Sequence, residues 1–368
     1  MRRAAAGVKL VFVTRRFPPS VGGMQTLSAH LAREFSNRAD TIVIAWGRSQ
    51  AFLPYFLTSA FVRALYAIVF GRAEHVHLGD ALLAPLGVLL RGTSRVSVSV
   101  TVNGRDIAFD SAPYQFLVPR CLARLDSVVC VSRAIAHECT RRGVPRDRCV
   151  VIPNGVDPDE LNYDTSRENL ARILGRDLDG HQVLVTVGRL VKKKGVEWFV
   201  HQVLPLLPAS VLYVVVGDGP ERRAIEEAIK RRRLEARVVL LGAVLNDDPL
   251  LRIVYEGADL LVMPNAHIPG DFEGFGIVAV EAAGAGLPVV ASRVDGIEDA
   301  VLEGRTGHLV TPGAAEEFAT RIRACFTEES LDRDAVRSAA KAQFGWQRIG
   351  ALYMKAMEDA RSSRRWRS

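Results

Sequence analysis

The chain has 368 residues, 48% of them apolar and 24% charged, which suits two soluble globular domains and excludes a collagen-like, solenoid or largely disordered protein. The net charge of +7 is uneven: residues 1–160 carry 20 Lys and Arg against 12 Asp and Glu, and the remainder 28 against 29. The basic half fits an anionic ligand, an anionic membrane surface or plain solubility, and without a reading motif it does not indicate nucleic acid.

Val8–Thr14 reads as a buried first strand, and its apolar run is too short for a secretion signal. A loop with Pro18, Pro19, Gly22 and Gly23 leads into a helix over Thr26–Phe35, a layout able to touch phosphate. Thr41–Ala45 is the second expected strand. Ala51–Phe70 is apolar and near the length of a membrane span. Pro54, Thr58, Ser59 and Arg63 interrupt it, so a buried or half-buried helix is expected first and membrane-surface contact second. Glu74–Leu78 and Val96–Val102 are strands, the latter leading into Asn103-Gly104-Arg105-Asp106. Asp106 either orients a hydroxyl of a bound ligand or caps the segment that follows.

Ser127–Ser132 is a buried strand, with Ser132 capping a helix from Arg133. Val150–Asp157 closes the first domain on an Asn154-Gly155 turn. The five cysteines, Cys121, Cys130, Cys139, Cys149 and Cys325, are odd in number and contain no Cys-x-x-Cys. Neither a disulfide framework nor a zinc site is expected, and a reducing cytoplasm fits. The expected organisation is a first domain over 1–158, a linker over 159–179, a second domain over 180–343 and a terminal segment over 344–368.

Val183–Val187 opens the second domain and runs into Gly188-Arg189-Leu190-Val191-Lys192-Lys193-Lys194-Gly195. Arg189 and Lys194 are then two cations at the C-terminal end of a strand, where open α/β sheets bind ligands, and Lys192 and Lys193 are expected at the surface. Leu212–Val216, Val238–Val244 and Leu260–Pro264 are strands. Gly270–Ser292 holds two carboxylates, Glu273 and Glu281, around a Gly274-Phe275-Gly276 turn and the start of an apolar helix. The N–H groups of Phe275, Gly276 and Ile277 would open that helix and suit an anion. Gly284 and Gly286 close it before a strand over Pro288–Ser292, and Gly307–Val310 is the last strand. The Asp247-Asp248 pair is expected in an exposed turn. Phe344–Met357 has amphipathic helical spacing, and a basic tail follows from Arg361.

Glu273 and Glu281, seven residues apart in a Glu-Gly-Phe-Gly context, resemble the signature of family 4 glycosyltransferases. Ile152-Pro-Asn-Gly-Val-Asp157 and the Arg189–Lys194 turn resemble further motifs of that family in the same order. The resemblance covers nearly the whole chain. It implies an α/β GT-B fold of two facing Rossmann-like, doubly wound domains with a cleft between them, the last helix crossing back to the first domain. It also implies retaining chemistry with a nucleotide-diphosphate sugar as substrate and no metal or other cofactor. Arg189 and Lys194 would then meet the donor diphosphate, Glu273 the sugar hydroxyls and Glu281 the ribose. Gly22 and Gly23 would touch the diphosphate, and Gly242 and Val244 would line the base pocket. Asn103 stands where many members carry His, and Gln25 where many carry Glu. Asn103 can hydrogen-bond but cannot carry a proton. The expected reaction is hexosyl transfer to a glycan or lipid-linked acceptor in bacterial cell-surface polysaccharide assembly. The expected place is the cytoplasm or the inner face of the plasma membrane. A nucleotide-sugar epimerase or hydrolase of the same fold, or a non-catalytic nucleotide-sugar-binding subunit, is the alternative.

Overall fold

The computed structural model describes residues 9–20, 23–47, 52–104, 106–157, 167–244, 249–327 and 330–367, with side chains as far as Ser363. The chain forms two compact units, one of residues 1–155 with 346–368 and one of residues 156–345.

Unit 1 alternates strand and helix: β1 (Lys9–Thr14), α1 (Gly23–Arg38), β2 (Asp40–Ala45), α2 (Leu53–Val69), β3 (His75–Leu78), α3 (Ala84–Thr93), β4 (Ser97–Val102), α4 (Ala112–Leu122), β5 (Ser127–Cys130), α5 (Arg133–Arg141) and β6 (Cys149–Val151). All six strands are parallel, in the order β2-β1-β3-β4-β5-β6. Parallel strands need crossover helices, which cover both faces, so β1, β3, β4 and β5 are almost wholly buried. Ser132 caps α5, its hydroxyl accepting from the Ile135 N–H at 3.2 Å.

Unit 2 repeats the plan with α6 (Arg167–Leu174), β7 (Gln182–Val187), α7 (Val196–Trp198), β8 (Val211–Val216), α8 (Arg222–Arg232), β9 (Val238–Gly242), α9 (Pro249–Gly257), β10 (Leu260–Met263), α10 (Ile277–Gly284), β11 (Val289–Ser292), α11 (Ile297–Ala300), β12 (Gly307–Val310), α12 (Ala315–Cys325) and α13 (Arg333–Phe344). Its parallel sheet runs β12-β11-β10-β7-β8-β9. Each sheet therefore reverses its winding once, between β1 and β3 and between β7 and β10. The crevice outside the strand ends at such a point is where doubly wound sheets take ligands.

The last helix, α14 (Trp346–Arg367), belongs to unit 1. Its Trp346, Ile349, Tyr353 and Met357 join Leu10, Phe12, Leu31 and Phe35 in one core. Trp346 stacks on His30 with centroids 4.9 Å apart. A Cβ on Gly155 would come within 2.5 Å of the Trp346 ring. The Asn154-Gly155 turn thus needs glycine to let the indole in.

Beneath α14 lies a buried polar layer. His75 Nε2 and His77 Nδ1 each meet the Ser99 hydroxyl at 2.7 Å, His77 Nε2 meets Thr101 at 2.9 Å, and Thr101 meets the Tyr353 hydroxyl at 3.1 Å.

Several boundaries differ from expectation. β9 stops at Gly242, whose φ of +81° turns the chain out of the sheet, so Val244 lies beyond the strand. The last strand of unit 1 starts one residue before the expected Val150 and is paired only to Val151, because Pro153 cannot donate to a ladder. The described part of the linker does hold the one short helix expected there, α6, and its Leu170 is fully buried against Gly257. α14 continues past Arg361 to Arg367. α2 buries Phe56, Ala60, Ala64 and Ala67 and leaves Tyr55, Val62, Tyr66, Val69 and the adjoining Phe70 exposed. Among the described residues no helix is long and apolar enough to cross a membrane.

Candidate functional site

The second unit gathers its chemistry at the ends of β7 and β10. Gly188, at φ +141°, turns the chain out of β7, and its N–H bonds to the Val216 carbonyl at 2.9 Å. The chain then makes a short turn over Lys192–Lys194 and ends it at Gly195, at φ +65°. A Cβ on Gly195 would lie 1.9 Å from the Pro264 carbonyl oxygen, and one on Gly217 equally close to the Gly188 carbonyl oxygen. Backbone packed against backbone thus fixes the cation-bearing turn to the strand ends on either side.

That turn presents its charge to the loop after β10. Lys194 Nζ donates to Glu273 Oε2 at 2.7 Å, and Asn265 Nδ2 donates to the same oxygen at 3.1 Å. The Glu273 N–H donates to Asp295 Oδ2 at 3.0 Å, and the Gly296 N–H to the Glu273 carbonyl at 3.0 Å. The methylene chain of Lys194 passes over Gly188, where an added Cβ would sit 3.6 Å from Lys194 Cε and 4.0 Å from its Nζ. Arg189 is exposed, and its guanidinium has no partner among the described residues. Lys193 corrects its expected surface position: it is mostly buried and donates to Asp271 at 2.8 Å and to the Phe272 carbonyl at 2.9 Å. Lys192 is exposed as expected.

Gly276, at φ +81°, is the N-cap of α10. The N–H groups of Phe275, Gly276 and Ile277 have no acceptor among the described residues, and they stand at the positive end of the helix. The Phe275 ring turns inward and packs edge-on against Phe344, 6.0 Å between centroids, so only its main chain faces a ligand. Glu281, further along α10, accepts from the Tyr255 hydroxyl at 3.3 Å. Burial pushes the Glu281 carboxyl above the usual carboxylate range, against the pull of that hydrogen bond. Gly242 accepts from the Gly217 N–H at 2.7 Å, and Val244 is half-buried just beyond it.

Unit 1 holds the remaining expected residues. Asp106 accepts from the Asn103 N–H at 2.9 and 3.1 Å and from the Ala81 N–H at 3.2 Å, tying the ends of β3 and β4 together. Burial, and then the neighbouring Asp80 carboxylate, push Asp106 up to about 6. The Asn103 amide donates to the Gly79 carbonyl at 3.4 Å. Asp80 is fully buried and accepts from Arg15 Nε at 2.9 Å and from the Leu82 N–H at 3.1 Å. Gly23 is the first residue of α1, while Gly22 lies outside the described residues, as does the Asp247-Asp248 pair. Among the described residues no group of three or more His, Cys, Asp or Glu is disposed to hold a metal ion.

Of the expected residues, the structure brings Lys194 and Glu273 together at the winding reversal of unit 2, with Arg189 in the same turn as Lys194 and the N–H groups of 275–277 following Glu273 in its loop. Asn103 and Asp106 lie at the strand ends of unit 1. Asp80, Asn265, Asp295 and Tyr255 hold this chemistry in place without having been singled out in the sequence. Asn265 and Asp80 do lie just beyond strand ends, which is the one signal that marks them.

Two family models match the chain. "Glycosyltransferase Family 4" covers residues 4–160 and "Glycosyl transferases group 1" residues 181–328, which between them span most of its length. An uncharacterized glycosyltransferase of Methanocaldococcus jannaschii is 26% identical over 95% of this chain and 99% of its own. A GDP-mannose-dependent alpha-(1-6)-phosphatidylinositol monomannoside mannosyltransferase of Mycobacterium tuberculosis is 28% identical over 93% of this chain and 96% of its own. Among solved structures, the Anabaena protein HepE in complex with UDP superimposes with a TM-score of 0.77 at 21% identity, covering 96% of this chain and all of that one.

Proposed function

Because this chain belongs to glycosyltransferase family 4 and has the GT-B fold, we propose that it moves a hexose-type sugar from a nucleotide-diphosphate donor to an acceptor with retention of anomeric configuration. The observation that carries this reading is the Lys194–Glu273 contact at 2.7 Å, set beside the unpaired Arg189 and the open N–H groups of α10. Cations and helix-end N–H groups suit a diphosphate, and an adjoining carboxylate suits sugar hydroxyls. As the sugar–phosphate bond breaks, negative charge grows on the leaving diphosphate. Arg189, Lys194 and the N–H groups of Phe275, Gly276 and Ile277 would stabilise it, and the reading gives this task to them rather than to a metal ion. One such contact is typically worth about 3 kcal/mol, roughly a hundredfold or more in rate.

Lys194 is shared in this scheme. Without donor its ammonium rests on Glu273, and with donor it turns to phosphate and leaves Glu273 to the sugar. Glu281 is assigned to the ribose, and Gly242 and Val244 to the base through main-chain contacts. Asn103 cannot carry a proton, so the leaving phosphate oxygen itself takes the acceptor's proton. GDP-mannose and UDP-linked hexoses are both candidate donors. Relatives point both ways: one is named for GDP-mannose, and HepE is bound to UDP.

The acceptor is read as a lipid-linked glycan of surface-polysaccharide assembly, reached at the inner face of a membrane. The support is α2, which carries no acidic residue and exposes a row of aromatic and aliphatic side chains beside Arg63 and Arg72.

A thermal-shift screen of nucleotides and nucleotide sugars would name the donor, since a selective ligand stabilises the fold. With that donor, Lys194→Ala and Glu273→Gln are assayed for nucleotide release and sugar transfer. Unchanged transfer in both variants would remove this site from the mechanism. Epimer formation in the absence of acceptor would favour an epimerase instead.

A further inference from the structure

The winding reversal of unit 1, between β1 and β3, contains polar groups that the transfer scheme leaves unused. Arg15 and Arg16 leave β1, and Gly79 and Asp80 leave β3. The two ends touch: the Arg16 N–H and the Thr14 hydroxyl meet at 3.3 Å, and a Cβ on Gly79 would come within 2.8 Å of that hydroxyl. Asn103, at the end of β4, reaches the Gly79 carbonyl from the other side.

Ten side-chain polar atoms among the described residues are buried without a partner, and three of them fall in this one crevice: Arg16 Nε, Asp80 Oδ2 and Asn103 Oδ1. Arg15 is committed to Asp80, but the Arg16 guanidinium makes no hydrogen bond or ion pair to any described residue. Burial and then the charge of Arg15 weaken its hold on its proton, and the Asp80 carboxylate offsets them only in part. A half-buried cation that feels the Asp80 carboxylate only through space, with no hydrogen bond to it, is poorly satisfied, and buried acceptors without donors are costly. One ligand would satisfy all three: an anion for Arg16, with hydroxyls to donate to Asp80 and Asn103.

We infer that the crevice between the ends of β1 and β3 binds the second substrate through a phosphate group paired with Arg16, with Asp80 and Asn103 receiving hydroxyls of the same molecule. The acceptor is thus a phosphorylated sugar or polyol, free or as a lipid headgroup. This rests on the transferase reading for the word acceptor, but not for the site itself. Arg16 is a binding residue here and takes no part in bond breaking.

The test is calorimetric titration of the full chain with glucose 6-phosphate and glycerol 3-phosphate, using glucose and glycerol as uncharged controls. UDP or GDP, whichever stabilises the chain, is kept saturating so that Arg189 and Lys194 are occupied. The phosphorylated probes should bind saturably and the uncharged ones about tenfold or more weaker; Arg16→Gln should lose about tenfold or more and Arg16→Lys much less. Equal binding by wild type and Arg16→Gln, or no gain from the phosphate, overturns the inference. Arg16→Met, which keeps the aliphatic stem, is the second variant if Gln disturbs the loop. Preserved nucleotide affinity reports that each variant is folded. If neither nucleotide binds the wild-type chain, the transferase reading falls, and the phosphate titrations are read without nucleotide. Vesicles carrying phosphatidylinositol, compared with phosphatidylcholine, then separate a headgroup from a free sugar phosphate.

Discussion

Gly195 and His75 show how single positions carry energy that no local pattern announces. Gly195 sits at φ +65° with the Pro264 carbonyl where a Cβ would go. Gly195→Ala should therefore cost more than about 1 kcal/mol and displace Lys194, lowering both the melting temperature and nucleotide affinity. Gly313→Ala is the control: φ is +77° but space is open, so stability falls while nucleotide affinity holds. Burial, with Arg361 nearby, lowers His75 from 6.5 to about 3. The unfolded chain takes up this proton near 6.5 and the folded chain only near 3. Stability present above pH 6.5 is therefore lost as pH falls toward 3, at ~1.4 kcal/mol per pH unit from this one group. Melting temperature should drop from pH 7 to pH 5, and His75→Gln should flatten the slope; an unchanged slope would show that other groups set it. Residues of this kind are hard to read in advance. Arg189, Lys194 and Glu273 sit in recognisable motifs, whereas Asp295 matters only because folding brings it under the Glu273 N–H, 22 positions away.

At the scale of elements, α2 makes the clearest claim. Tyr55, Tyr66 and Phe70 are 68, 66 and 73% exposed, although the opposite face of the helix is core. Replacing all three with Ser should leave stability within about 0.5 kcal/mol per site, because they pack only on one another and on Trp46 at the surface and not into the core. The same variant should sediment far less with anionic vesicles than wild type does. Equal sedimentation would remove α2 from membrane contact. Elements were the most legible level in the sequence. Buried parallel strands announce themselves as Val- and Leu-rich runs, and Leu212–Val216 and Gly307–Val310 stand within a residue of where such runs place them. Pairing limits were not legible, as β9 and β6 show, since a Gly at positive φ or a Pro ends a ladder inside an apolar run. The five-residue π-helical stretch Phe199–Val203 has no signature that distinguishes it from α-helix.

At the scale of the whole molecule, the chain leaves unit 1 after Gly155 and re-enters it at Trp346. The two crossings run side by side, with the Val156 N–H bonded to the Phe344 carbonyl at 2.8 Å. Unit 1 depends on its distant segment for core: Trp346 is 8% exposed, and Ile349 and Tyr353 are buried beside Phe12 and Phe35. Trp346→Ala should cost about 3–5 kcal/mol, felt in unit 1 alone. Thermal unfolding should then show an early transition that the unit 2 nucleotide does not shift. A single nucleotide-sensitive transition would mean that the units unfold together.

That discontinuity also reverses the usual order of events on the ribosome. Domains commonly fold as they emerge, amino-terminal first. Here β1–β6 emerge without the helix that covers Leu10, Phe12 and Phe35, and the roughly 190 residues of the other unit must be translated before it appears. At about 5–20 residues per second that is a wait of roughly 10–40 s. The continuous unit can complete itself in that interval, while the nascent amino-terminal sheet keeps an apolar face open to chaperones.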